Sequence, residues 1–227
     1  IGLDFATQSA RAIIIGEDGR ILTRFTTDLE PVKIVDKSRT QNPESWVKAL
    51  NFLLKNLAQY CDTNQVEPTA LAITATSGTF LLTDNKNTAL TPGVMYNDGT
   101  ASTPLERAAL FDLSDSYFKH VPEYLISYLS GGKAIAADWS HSLKTGFNLD
   151  SKSWEVDTKL KLPTVVAPGT QLGEIAENFP LKGVKIFAGM TDGCTGQISA
   201  GGAQNGSAVT TIGTTLVLKI ISDKNIS

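Results

Sequence analysis

The sequence is poor in the side chains on which most redox and zinc chemistry depends. It has two cysteines, Cys61 and Cys194, and two histidines, His120 and His141. Two cysteines cannot build a disulfide framework, and so few soft ligands argue against a zinc site. Two histidines also leave little room for a Ser-His-Asp or Cys-His nucleophile system. Any catalysis is therefore expected to depend on carboxylates, hydroxyls and backbone amides.

Long apolar runs and concentrated charge are missing as well. The sequence has no run of about 18 apolar residues, and no basic and apolar leader precedes the first strand-like residues. Its 20 lysines and arginines are scattered, and the net charge is −3, which gives no basic footprint for nucleic acid. We therefore expect a cytoplasmic protein that binds small molecules and neither nucleic acid nor membrane. Its oligomeric state stays open.

What is present is typical of a globular protein. The chain has 227 residues, of which 41% are hydrophobic and 19% charged. That length is long for one domain and short for two. The chain begins inside a strand-like segment at Ile1 and ends at Ser227 just after another, so we expect it to be cut at both ends.

Hydrophobic periodicity predicts an α/β protein. The first 27 residues favour an antiparallel meander, and residues 69–76 a strand buried on both faces. A helix is predicted over residues 43–60, with Asn42 as its cap and Pro43 in its first position. Further strands are predicted at 80–82, 93–96, 184–188, 207–212 and 216–221, and further helices at 104–111, 122–129 and 194–200. Residues 134–145 are expected to form a helix or a helical turn rich in small residues, and residues 146–154 and 163–173 are expected to be loops.

Three segments combine carboxylates, hydroxyls and glycines next to predicted strands. The hairpin over residues 4–11 can hold a phosphate, with Asp4 on Mg²⁺, or it is an ordinary polar hairpin. In residues 189–196, Asp192 is either a general base or a helix cap. Residues 210–215 form a second phosphate-holding turn or a simple Thr-rich turn. Together, without a Walker A or G-x-G-x-x-G motif, they favour a phosphotransferase outside the P-loop class.

These segments and three others resemble the FGGY carbohydrate kinases. Within that family the resemblance favours the D-ribulose kinase branch, some of whose members have been labelled xylulose kinases. Each segment alone is weak, but six in the same order are specific. The segments are 2–11 (GLDFATQSAR), 76–79 (TSGT), 95–98 (MYND), 138–146 (DWSHSLKTG), 189–193 (GMTDG) and 212–215 (IGTT).

The resemblance implies an actin-like ATPase (ribonuclease-H-like) fold, a mixed sheet flanked by helices, with the active site in a cleft between two domains. Residues 1–205 would form the sugar-binding N-terminal domain, and residues 206–227 the start of a truncated nucleotide-binding domain. The implied cofactors are ATP and Mg²⁺. The implied reaction transfers the γ-phosphate to the terminal hydroxyl of a ketopentose, with D-ribulose favoured over D-xylulose, and the fragment is expected to be inactive alone.

The resemblance also assigns roles to individual residues. Asp192 would be the catalytic base and contact the sugar, Asp4 would be the carboxylate at the Mg²⁺, and Ser77 and Asp98 would bind sugar hydroxyls. Thr7 and Gln8 would form the first phosphate turn, and Gly213, Thr214 and Thr215 the second.

Two details of the sequence bear on these assignments. Ala6 stands where the family usually has Gly, and Ala tolerates positive φ poorly, which implies a reshaped turn or a looser phosphate contact. Of the three tryptophans, Trp46 is expected in the core, whereas Trp139 and Trp154 either pack or stack on a sugar ring.

Other functions stay open at this point. The chain is alternatively a kinase for another polyol or sugar acid, or a non-catalytic sugar-binding or regulatory remnant of the same fold. An actin-like assembly protein is a third possibility, against which the sugar-loop match argues.

Overall fold

Strands and helices are mixed along the chain in the computed structural model, which describes residues 1–133, 135–212 and 216–223. The helices of this part are α1 (Pro43–Asn64), α2 (Pro104–Ala109), α3 (Val121–Leu129), α4 (Trp139–Leu143) and α5 (Asp192–Ser199). The strands are β1 (Gly2–Phe5), β2 (Ser9–Ile15), β3 (Ile21–Asp28), β4 (Lys33–Val35), β5 (Ser38–Gln41), β6 (Ala70–Ala75), β7 (Phe80–Thr83), β8 (Gly93–Val94), β9 (Tyr117–His120), β10 (Ala137–Asp138), β11 (Phe147–Asn148), β12 (Ser153–Trp154), β13 (Val165–Val166), β14 (Gln171–Glu174), β15 (Lys185–Phe187), β16 (Ala208–Ile212) and β17 (Leu216–Ile220).

The central sheet has six strands in the order β14-β15-β6-β1-β2-β3. The predicted antiparallel meander at the N-terminus is present, because β1 pairs with β2 and β2 with β3 in antiparallel fashion. Strands β1, β6 and β15 are parallel to one another. Since parallel strands end at the same edge of a sheet, the segments that follow Phe5, Ala75 and Phe187 are brought together.

Helix α1 covers one face of this sheet. Asn42 caps it by accepting a hydrogen bond from the Glu44 N–H at 3.1 Å, and Pro43 occupies the first turn, as predicted. The helix continues past the predicted end at residue 60 and stops where Gln65 adopts a left-handed conformation with φ of 54°. Its apolar side contacts β2 and β3. The leucines on that side are fully buried: Leu50, Leu53, Leu54 and Leu57.

A second, five-stranded sheet has the order β4-β5-β8-β7-β9. The sequence predicted β7 and β8 but not the short, largely polar strands β4 and β5, nor β9. Phe80 on β7 and Phe118 on β9 stack with ring centroids 4.7 Å apart, which gives this sheet its own small core. Trp46 of α1 is buried, as expected, and its indole N–H donates to Gln41 of β5.

The structure corrects predictions about the middle of the chain. The segments predicted as loops, 146–154 and 163–173, contain residues of the short strands β11, β12, β13 and β14. Strand β6 is buried on one face only, since Ala70, Ala72 and Thr74 are half-buried. Of the two alternatives for residues 134–145, the structure has the helical turn, since the one-turn helix α4 follows β10 and no helix longer than this is present among the described residues there. The chain changes structure there because Asp138 caps α4, accepting hydrogen bonds from the N–H groups of Ser140 and His141.

Candidate functional site

Three segments meet where the parallel strands end. One follows β1, one follows β6, and one connects β15 to α5. Thr74 Oγ1 donates to the Met190 carbonyl at 2.6 Å, and Ala75 forms an isolated parallel bridge with Thr191. Gly189 makes this close approach possible, because a Cβ there would lie 2.1 Å from the Ile73 carbonyl oxygen. The topology therefore assembles the predicted motifs from opposite ends of the sequence.

Asp4 projects from β1 beside Arg11 of β2. Its Oδ2 pairs with Arg11 Nη1 at 3.2 Å, whereas its Oδ1 is buried and has no hydrogen-bond partner among the described residues. Burial raises the pKa of the Asp4 carboxyl above its ordinary value, the Arg11 guanidinium opposes that rise, and the charge of Asp192 adds to it. Asp4 lies opposite Thr74 in the β1–β6 pairing, and Thr74 bonds to Met190, two residues before Asp192, so the segments that carry the two predicted catalytic carboxylates lie next to each other.

Asp192 is the first residue of α5 and is exposed to solvent. The helix begins two residues before the predicted start at Cys194, and the residue in the cap position is Thr191. Asp192 Oδ1 accepts a hydrogen bond from the Gly193 N–H at 2.7 Å. The cap interpretation of Asp192 is therefore not the one the structure adopts, and its carboxylate is exposed to solvent.

The turn between β1 and β2 holds Thr7 and Gln8, of which Thr7 is half-buried and Gln8 exposed. The turn closes with a hydrogen bond from the Ala6 N–H to the Ser9 carbonyl at 3.1 Å. Ala6 is not among the described residues with positive φ, so Ala is compatible with this turn. The buried Gln41 supports it from below by donating to the Thr7 carbonyl at 3.0 Å.

Ser77 lies in the turn after β6 and is half-buried. This turn is tied to the loop over residues 95–98, because the Tyr96 N–H donates to Thr79 Oγ1 at 3.1 Å. The two segments with predicted sugar-binding residues, Ser77 and Asp98, are therefore neighbours.

Asp98 itself is buried and engaged by the protein. Its Oδ2 accepts from the Arg39 N–H at 2.6 Å, and its Oδ1 accepts from the N–H and the hydroxyl of Thr100. Burial alone would raise the pKa of Asp98, but these hydrogen bonds outweigh it and hold the pKa below its ordinary value. The carboxylate thus shapes the loop, and its predicted contact with sugar hydroxyls stays a prediction.

The second phosphate turn lies outside the described residues. Gly213, Thr214 and Thr215 fall between β16 and β17, which pair in antiparallel register from Ala208 with Ile220 to Ile212 with Leu216. The flanking strands agree with the predicted ones to within one residue. Lys219 of β17 donates to the Gly193 carbonyl, so this hairpin contacts the start of α5.

The sequence reasoning missed a buried polar cluster behind the sheet edge. His141 Nδ1 lies 2.5 Å from Asp138 Oδ2, and His120 Nδ1 lies 2.8 Å from Glu123 Oε2. All four residues are at most 3% exposed, and the two imidazole rings are 5.5 Å apart. Each histidine stands three positions from its carboxylate. That spacing is visible in the sequence. It predicts a contact only if both residues lie on the same helical turn and are buried, which the sequence does not show.

Asp138 and His141 form an ion pair. Burial would raise the pKa of Asp138, but the hydrogen bond and charge of His141 lower it to about 2. Burial would lower the pKa of His141, yet the hydrogen bond and charge of Asp138 raise it. His141 Nε2 faces the Ala75 carbonyl at 3.3 Å. Because both ring nitrogens face groups that only accept, the imidazole carries both protons.

A groove of about 500 Å³ borders the predicted centre. Its lining includes Asp4, Arg11, Thr74, Met190 and Thr195. A larger cavity of about 710 Å³ lies beside β11 and β17 and contains none of the predicted site residues. Because the groove has Asp4 in its wall, it is the cavity that bears on the predicted chemistry.

The donor set at Asp4 fits Mg²⁺. The orphaned Asp4 Oδ1 is a hard oxygen ligand beside a second carboxylate, Asp192. In the described part of the chain no group of three or more His, Cys, Asp or Glu side chains is arranged to hold a metal. One or two carboxylates, with water and phosphate oxygens, are what Mg²⁺ uses in phosphate-transfer sites.

The described residues also contain no helix long and apolar enough to cross a membrane.

Comparisons with known proteins agree with this architecture. Residues 1–120 match the FGGY family of carbohydrate kinases, N-terminal domain. The xylulose kinase of Escherichia coli (strain K12) is 23% identical over 267 aligned residues, which cover 98% of this chain and 54% of that protein. This chain therefore spans about half the length of the curated relative it matches.

Solved structures share the fold. A ligand-bound xylulose kinase from Lactobacillus acidophilus superposes with a TM-score of 0.80 at 15% identity, over 96% of this chain and 53% of that one. Glycerol kinase from Plasmodium falciparum with ADP gives a TM-score of 0.80 at 15% identity, over 97% of this chain and 55% of that one. The predicted actin-like, ribonuclease-H-like fold is confirmed. The match over more than half of the sequence, with the parallel-strand edge that gathers its motifs, shows that the chain belongs to the FGGY family of carbohydrate kinases.

Proposed function

We propose that this chain carries the sugar-binding side and the general base of an ATP-dependent carbohydrate kinase. The acceptor is the terminal hydroxyl of a ketopentose. The observation that carries the proposal is that the segments with Asp4 and Asp192 come together at the edge where β1, β6 and β15 end. In this arrangement residues 1–205 act as the sugar-binding domain, and residues 206–227 begin the nucleotide-binding one.

Phosphoryl transfer needs positioning and charge neutralisation more than covalent chemistry. Asp192 is exposed at the start of α5 and takes the proton from the sugar hydroxyl. Asp4 is the residue that would hold Mg²⁺, which neutralises phosphate charge when bound. Ser77 and Asp98, on two segments joined through Thr79, orient the other sugar hydroxyls.

The ATP phosphates are held by two turns in this proposal. Thr7 and Gln8 supply the first turn, whose shape is maintained by Gln41. Gly213, Thr214 and Thr215 supply the second. Backbone N–H groups in such turns form concavities for anions, which suits the β- and γ-phosphates of ATP.

The identity of the sugar rests on two observations of different kind. The resemblance of the six segments favours D-ribulose, whereas the curated relative is named a xylulose kinase. We propose D-ribulose as the preferred acceptor, with D-xylulose second. Kinases for other polyols or sugar acids share the fold, so the acceptor has to be measured.

A substrate panel read by ADP release tests the proposal in the full-length protein. We expect D-ribulose and D-xylulose to give higher kcat/KM than glycerol or gluconate, and D-ribulose to exceed D-xylulose. The reverse order of the two ketoses would overturn the ribulose preference alone. Sugar binding in a calorimeter with no ADP release for any acceptor would contradict the kinase proposal and favour a non-catalytic sugar-binding protein.

A further inference from the structure

Ser140, on the one-turn helix α4, joins the buried ion pair to the segment that carries Asp192. Its hydroxyl oxygen lies 2.5 Å from Asp138 Oδ1 and 2.8 Å from the Thr191 backbone nitrogen. Ser140 is far from Thr191 in sequence, and it is half-buried in the fold. This side chain therefore forms a specific link between two of the motifs found in the sequence.

The direction of each hydrogen bond follows from the donors available. Asp138 is ionised, because its pKa is lowered to about 2, so it can only accept. The Ser140 hydroxyl therefore donates its one hydrogen bond to Asp138. The Ser140 oxygen is then left as an acceptor, which is what the Thr191 N–H requires. Charge on one partner makes such hydrogen bonds short and strong.

The same ion pair reaches the neighbouring strand end. His141 Nε2 donates to the Ala75 carbonyl at 3.3 Å, and Ala75 in turn bridges to Thr191. Ala75 precedes the turn with Ser77, and Thr191 precedes Asp192. The buried pair is therefore linked to both segments that carry predicted sugar-contacting residues, directly at the Ala75 carbonyl and through the Ser140 hydroxyl at the Thr191 N–H.

Asp192 depends on this backbone for its position. Its side chain is exposed and accepts a hydrogen bond from the Gly193 N–H. Because Gly193 is the next residue in the chain, this hydrogen bond does not tie Asp192 to another part of the fold. The position of the carboxylate therefore depends on the backbone on either side of it, which is held at Thr191 by Ser140 and at the Gly193 carbonyl by Lys219. A general base must lie within hydrogen-bond reach of the proton it removes.

We propose that Ser140, held by the Asp138–His141 pair, is a positioning residue for the general base Asp192. The inference rests on the proposed kinase function. A base that moves by about 1 Å loses up to about 100-fold in rate. Loss of the Ser140 hydroxyl should therefore act on the chemical step more than on sugar binding.

The test compares Ser140→Ala with Ser142→Ala in the full-length protein. Ser142 lies on the same helix, is fully buried, and its hydroxyl has no partner among the described residues, so its removal controls for loss of a buried hydroxyl from α4. We expect Ser140→Ala to lower kcat by about 10- to 100-fold with a KM for the sugar within about threefold of wild type. Ser142→Ala should leave both constants unchanged, and Ser140→Thr, which keeps a hydroxyl, should restore most of kcat.

Hydrogen exchange gives a readout that needs no turnover. The Thr191 amide should exchange at least about tenfold faster in Ser140→Ala than in Ser142→Ala, because its acceptor is gone. Equal exchange rates in the two variants, or equal kcat values, would overturn the positioning role even if the wild-type protein is an active kinase. Faster exchange in a protein without kinase activity would instead contradict the proposed function while the hydrogen bond itself stands.

Discussion

Both histidines of the chain are used inside the protein and not at its surface. His120 and His141 are 0% exposed, and each lies against a carboxylate of its own turn of chain. The sequence contains few histidines, and nothing in its pattern indicated that the two would be neighbours in the fold. Their contact depends on β9, α3 and α4 meeting in the fold, which is long-range information that a linear pattern does not contain.

The charge of His141 predicts a pH window for stability. His141 faces Asp138, the His120 ring and the charge of Glu123. The lowered pKa of Asp138, about 2 against 3.8, contributes stability above pH 4 that is lost as the pH falls towards 2. The raised pKa of His141 contributes stability below 6.5 that is lost as the pH rises through the raised value.

Thermal unfolding of wild type and His141→Gln across pH measures this window. Glutamine can donate to one acceptor but carries no charge. We expect the difference in Tm between the two proteins to be widest between about pH 4 and 6.5 and to narrow on both sides of that range. A difference of about 2 kcal/mol in the free energy of unfolding corresponds to about 4–8 °C in Tm. Glu177→Gln, at an exposed pair with Lys182, should show a small gap at every pH. A His141→Gln gap that does not vary with pH would mean that the pair is not ionic.

At the scale of elements, the sequence predicted those whose signals are local. Helix α1 has a cap, a proline in its first turn and a leucine stripe, and α2 has a complete capping box from Thr103 and Glu106. Strands β4 and β5 have no such signal, because they have only three and four residues and form by pairing, β4 with β5 and β5 with β8. The same limit explains α4, which begins where Asp138 caps it and not where a periodic pattern starts.

Gly189 is the element-scale feature with the clearest consequence. A Cβ at Gly189 would lie 2.1 Å from the Ile73 carbonyl oxygen inside β6, a backbone atom that cannot move without disturbing the sheet. We expect Gly189→Ala to cost about 1–3 kcal/mol of stability and to lower kcat, since the segment before Asp192 must shift. Thermal unfolding and ADP release measure the two effects.

Gly196 provides the matched control within α5. It is exposed, and a Cβ there would have no atom within 4 Å. Because Ala favours a helix over Gly by about 1 kcal/mol, Gly196→Ala should raise Tm slightly and leave kcat unchanged. If the two variants behaved alike, the close approach of Gly189 to β6 would not be what orders the site.

At the scale of the whole molecule, the order of the motifs predicted the fold. The common edge at which β1, β6 and β15 end brings those motifs together in one candidate site. The segments that carry Asp4 and Asp192, far apart in the sequence, come together at the ends of β1, β6 and β15. The sequence assigned them to one centre only through the family resemblance, since no spacing rule relates positions so far apart. The sequence did not predict the hydrogen bonds that hold the neighbouring backbone, which join Gln41 to the Thr7 carbonyl and Ser140 to the Thr191 N–H.

The central claim is that Asp192 is the base of a sugar kinase, and Asp192→Asn in the full-length protein tests it most directly. Asn keeps the size and a hydrogen-bonding oxygen but cannot take a proton. Phosphoryl transfer to the ketopentose should fall by about 100-fold or more, with sugar binding retained and Tm changed by a few degrees at most. Asp62→Asn, at an exposed position at the end of α1, controls for the lost charge and should match wild type. An Asp192→Asn variant that transferred phosphate at the wild-type rate would contradict the account.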